Sequence, residues 1–93
     1  MIEQLPDGLT RYKTTPAFTE ETVPKGLLKD HQTAAGVWGK LVVSHGEIEF
    51  VVTEAGQERT LVASPQRSIH ILPAAKHHVR VTGPVTFAVE FFR

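Results

Sequence analysis

The sequence predicts an all-β domain, and three observations carry that prediction. Six prolines and seven glycines cut the 93 residues into short segments. No window of about eleven residues or more carries a 3.6-residue apolar period, so a long helix is not expected. Several segments instead alternate apolar and polar residues, as half-buried strands do. Roughly seven or eight short strands, with turns about every 8–12 residues, describe a sandwich or a barrel.

The elements follow in order. In LPDGL, Pro6 presets φ and Gly8 accepts positive φ, which makes a turn. YKTTPAFTEETV is rich in Thr and aromatic residues, and Pro16 limits it to an edge or irregular strand. VPKGLL is a second proline–glycine turn. VWGKLVV, SHGE and IEFVV read as strand, tight turn and strand, with Gly46 at the turn.

TEAGQER is a polar turn around Gly56, after which TLVA resumes a strand. SIHILP sets Ile69 and Ile71 on one face and His70 on the other, while HHVRVTG pairs Val79 with Val81 and opposes Arg80. VTFAVEFF places Val85, Phe87, Val89 and Phe91 together. Its other face carries Ala88 and Phe92, which suits a closed sheet or an interface.

At this length a single domain over residues 1–93 is expected, burying about two-thirds of its unfolded surface. Pairing into a homodimer would add burial. Ten basic residues balance ten acidic ones, so no basic footprint for nucleic acid or for a membrane surface is present. The absence of cysteine excludes disulfides, thiolate metal sites and thiol nucleophiles. MIEQLPDGL does not read as a leader peptide, and no apolar run reaches the ~20 residues that span a bilayer. The expectation is a soluble, cytoplasmic protein.

Five histidines are the main chemical resource. Neutral imidazole is the commonest ligand of zinc, iron, copper and nickel. His77 and His78 are adjacent, so in an extended segment at most one of them faces a barrel interior.

The order of His31, the glycine-bracketed strand, Gly46, Pro73 and His77 resembles a degenerate cupin pattern. A full cupin has a second histidine where Thr33 stands, and a glutamate near Trp38 and Gly39. A closer resemblance covers Leu5 to Arg93. LPDGLTRYKTTPAFTEETVP, GLLKDHQTAAGVWGKLVVSHGEIEF, ILPAAKHHV and VTFAVEFFR resemble a small stand-alone form of the tellurite-resistance protein B N-terminal-like family.

That resemblance implies a cupin-like double-stranded β-helix (jelly-roll) barrel with His31 and His77 as pocket histidines and Glu90 as the associated acid. In some members such a domain precedes a methyltransferase using S-adenosylmethionine. These 93 residues hold no glycine-rich strand-to-helix loop, so methyl transfer is not carried over.

Two functions are weighed. One is a stress-response binding module whose pocket takes a small molecule, metal ion or small anion through His31 and His77, with His45 and Trp38 as further ligand-binding candidates. The other is a cupin enzyme with an open mononuclear site, where His31, His77 and Glu90 hold one divalent ion such as zinc, iron or nickel.

Overall fold

The computed structural model describes residues 5–93, so the expectation that no leader opens the chain falls partly on residues 1–4, outside the described ones. The elements are β1 (Arg11–Thr14), β2 (Phe18–Thr19), a four-residue 3₁₀ helix (Lys25–Leu28), β3 (Trp38–Glu54), β4 (Gln57–Ala63), β5 (Ile69–Ile71) and β6 (Lys76–Phe92). Two 17-residue strands, β3 and β6, pair antiparallel along nearly their whole lengths. The other four strands flank this ribbon.

SHGE does not close a hairpin. β3 runs straight through it, and Gly46 sits at a bend where the ribbon changes direction. Val43 faces Phe87 and His45 faces Thr86, which leaves Ser44 as an extra residue in β3. Between Gly46 and Ile48 the partner advances from Val85 to Val81, so there the excess lies in β6. Bulges of this kind bend a strand and re-aim its side chains. The β3 positions that belong to the core cluster record the shift: Leu41 and Val43 before the bend, then Ile48, Phe50 and Val52 after it.

The bend divides the sheet into two halves. On one side, β5 pairs with Gly39–Leu41 of β3, and β1 and β2 pair with the end of β6. On the other, β4 returns along Ile48–Glu54 through a two-residue turn whose residues, Ala55 and Gly56, both have positive φ. That is the turn geometry favoured in two-residue hairpins. Inward residues from both halves form one core, with Leu41, Ile48, Phe50 and Phe87 nearly inaccessible to water.

All-β is therefore the observed class, but the cupin-like jelly-roll barrel is not what forms. The strand path β1-β6-β3-β4 is open, with β2 attached to β6 and β5 to β3. Two long strands fill the centre, and the short ones flank them as separate edges. VPKGLL, expected as a turn, supplies the 3₁₀ helix after Pro24. No helix of the described residues is long and apolar enough to cross a membrane.

Candidate functional site

A cavity of about 270 Å³ lies on the inner face of the sheet. Leu41, Phe50, Ile71, Val79, Val89 and Phe91 build much of its wall. These are the inward positions of β3, β5 and β6, so strand alternation creates the apolar lining directly. Leu27 of the 3₁₀ helix and the segment Gln32–Ala34 complete it.

His31 and His77 enter this cavity as a pair. The His31 N–H donates to the His77 carbonyl and the His77 N–H donates to the His31 carbonyl, each at 2.9 Å. This exchange fastens the loop before β3 to the first residues of β6. The two rings meet edge to face with centroids 4.2 Å apart. His77 also stacks on Phe50 at 5.3 Å and is only 3% exposed.

Each imidazole is anchored through Nδ1. His31 Nδ1 donates to the Lys29 carbonyl at 2.9 Å, and His77 Nδ1 donates to the Ala75 carbonyl at 2.8 Å. A carbonyl can only accept, so in the neutral ring the proton is on Nδ1 and Nε2 carries the lone pair. Burial pushes the His77 pKa down to about 4, assisted by the neighbouring His31 and His78, while the Ala75 carbonyl and Asp30 oppose the shift. His77 is accordingly neutral at pH 7.

The other candidates lie elsewhere. His78 points to the opposite side from His77, and its Nδ1 donates to the Asp30 carboxylate at 2.8 Å. His45 is exposed at the bend of β3, opposite Thr86. Trp38 opens β3 opposite Phe92 and is half-buried, outside the cavity lining. Glu90 lies between the inward Val89 and Phe91, faces away from them, and bonds Arg11 at 3.0 Å. His70 sits between the buried Ile69 and Ile71. Thus the fold brings His31 and His77 together and keeps His45, Trp38 and Glu90 apart from them.

Sequence reasoning missed Phe50 as the platform under His77, and it missed Asp30. The signal for Asp30 was the adjacent pair Asp30-His31 meeting the adjacent pair His77-His78. Once His31 and His77 bridge, alternation brings their neighbours to a common side.

The expected divalent metal is not supported by the donor set. Among the described residues no group of three or more His, Asp or Glu side chains is placed to hold a metal ion. Glu90 is committed to Arg11 on the other face of β6, which leaves two imidazoles and no carboxylate.

Comparison with known proteins gives a consistent family. The model of the TehB-like domain matches residues 13–89. Two curated relatives from Haemophilus influenzae, of strains 10810 and KW20, are 41% and 39% identical over 46 residues. Both are named probable S-adenosyl-L-methionine-dependent methyltransferase TehB. Those 46 residues are 48% of this chain and 16% of each relative.

The crystal structure of TehB from Haemophilus influenzae superposes with a TM-score of 0.83 at 27% identity, over 92% of this chain and 32% of that one. An E. coli (strain K12) protein shares the fold at a TM-score of 0.88 and 20% identity, covering 99% of this chain and 97% of its own. The two curated relatives are thus named as methyltransferases and not as metal-binding cupins, which overturns both the metal-or-anion binding module and the metal-dependent cupin enzyme. The cofactor in their names is S-adenosylmethionine, not a divalent ion.

Proposed function

The chain belongs to the TehB-like domain family, and on that premise we propose that it is the small-molecule-holding domain of a methyl-transfer system. Its role in this reading is to hold a small organic compound that a methyltransferase acts on or responds to. The observation that carries the reading is the apolar cavity lined by the His31–His77 pair. An apolar cleft with a few convergent polar groups is the usual form of a small-molecule site. Support for the methyl-transfer context comes from relatives of which this domain forms only a part.

S-adenosylmethionine itself does not fit the cavity. No carboxylate lines it among the described residues, so nothing there pairs with the ammonium or the sulfonium charge. No methyl-transfer step is assigned to these side chains. Their work is to bind, orient and exclude water from an apolar molecule.

The test is a titration followed by amide NMR with a panel of small aromatic and aliphatic compounds. Binders are expected to move the amides of Gln32–Val37 and Val89–Phe91, and Ala34→Trp at the cavity mouth is expected to abolish the effect. A bound compound, supplied with S-adenosylmethionine to a TehB methyltransferase, should raise S-adenosylhomocysteine release when this domain is added. The reading fails if no compound moves those amides, or if Ala34→Trp binds as the wild type does.

A further inference from the structure

We propose that the cavity selects an uncharged, apolar-bodied ligand through a hydroxyl or N–H donor, which is received by the Nε2 atoms of His31 and His77. This rests on the reading of the cavity as a small-molecule site, and it names the chemical class that the site takes.

The argument begins with which polar groups in the wall are already committed. The Thr33 hydroxyl donates to the Val37 carbonyl at 2.8 Å. The Thr15 hydroxyl donates to the Pro16 carbonyl at 2.9 Å and accepts from the Val89 N–H at 3.0 Å. Both histidine Nδ1 atoms donate to backbone carbonyls. Tyr12, Lys13 and Gln32 also line the cavity but are exposed at its rim. What the inner wall offers a ligand is therefore the second nitrogen of each imidazole, which in the neutral ring accepts and does not donate.

A ligand that buries an acceptor against Nε2 leaves two lone pairs facing each other and both groups desolvated. One that buries a donor satisfies both. The charge of the ligand is constrained in the same way. A cation would lack a carboxylate partner, and an anion at the inner wall would meet a ring whose burial resists protonation, with the lining ammonium of Lys13 out at the exposed rim.

Size is consistent with a single-ring body, because an apolar cavity of roughly 150 Å³ takes up benzene and this one is about 270 Å³. The His77 ring, stacked on Phe50, offers a flat surface beside that body.

Four probes of one shape separate the terms: p-cresol carries a donor, 4-methylanisole only an acceptor, p-toluate a charge, and toluene none of these. Affinities are read by amide NMR in the wild type, in His77→Phe and in His31→Phe, with the toluene response reporting that each variant keeps its cavity. The expected result is p-cresol binding about tenfold or more tighter than toluene and 4-methylanisole, with p-toluate weakest. In His77→Phe that preference should fall to about twofold or less while toluene still binds, and His31→Phe should reduce it in the same direction.

Equal binding of p-cresol and 4-methylanisole, tighter binding of p-toluate, or a preference that survives in both variants overturns the inference while leaving the small-molecule reading in place. Failure of both toluene and p-cresol to move the cavity amides in the wild type overturns that reading, and the inference with it. If a variant does not fold, the ranking of the four probes on the wild type decides.

Discussion

His31 and His77 are joined twice: their backbones exchange two hydrogen bonds of 2.9 Å, and their rings cross at 4.2 Å. One pair of residues therefore closes the loop onto β6 and furnishes the inner polar groups of the cavity. Fold and site are coupled at this point, so perturbing the ring chemistry is expected to change stability as well as binding.

The first consequence concerns pH. His77 is held down to about 4 in the folded state, against a typical value near 6.5 in the unfolded chain. Above pH 6.5 neither state binds the extra proton, and the neutral ring carries no penalty. As pH falls from 6.5 to 4 the unfolded chain takes up a proton that the folded protein refuses, so stability declines over that window. The loss attributable to His77 is about 3 kcal/mol at pH 4. Thermal melts of the wild type and His77→Phe from pH 7.5 to 4 check this, and the wild type should show the steeper decline.

A second prediction separates the loop's anchors. The His78–Asp30 pair at 2.8 Å is partly exposed, with side chains 22% and 46% accessible, so screening limits its worth. Asp30→Ala is expected to lower global stability by no more than about 1 kcal/mol. Its effect on the loop should be larger than its effect on the core. Hydrogen exchange would show it, with the His31 and His77 amides exchanging faster while those of Leu41 and Phe87 change little.

Phe50 offers a test of the cavity floor. It is 1% exposed, belongs to the core cluster and stacks on His77. Truncation to Ala removes core packing and the platform of the imidazole together. The expected cost is about 3–5 kcal/mol by denaturant unfolding. With the platform gone, water reaches His77, so its pKa should rise from about 4 toward the ordinary histidine value, read from the ring proton shifts during an NMR titration.

These residues also show how far the sequence could be read. Alternation located the inner faces of β5 and β6, because Ile69, Ile71, Val79, Val85, Phe87 and Val89 are all buried as their spacing implies. It likewise separated His77 from His78. The sheet's open path was not legible, since residue patterns fix which face is apolar and leave strand pairing across the chain undetermined. Taking SHGE for a hairpin turn divided β3, although its apolar positions change phase between Val43 and Ile48 as a bulge requires. Glu90, expected as the acid of the pocket, alternates outward from Val89 and Phe91, and the partner that holds it, Arg11, is 79 residues away in sequence.

Gly46 is where that misreading can be tested by experiment. Its φ of +76° lies in the left-handed region, and a Cβ placed there would overlap the carbonyl oxygen of Pro84. A free hairpin turn would give a side chain room to project into solvent. At this bend, two backbones of the β3–β6 ribbon pass too closely for one. Gly46→Ala must therefore bear both the backbone strain and the displacement of β6 near Pro84, which together are expected to cost about 3 kcal/mol. Gly26 has open space around its Cβ direction and no positive φ, so Gly26→Ala should fall within about 0.5 kcal/mol of the wild type. Denaturant unfolding of the two variants checks the contrast. Equal stabilities would mean that the bend does not confine Gly46.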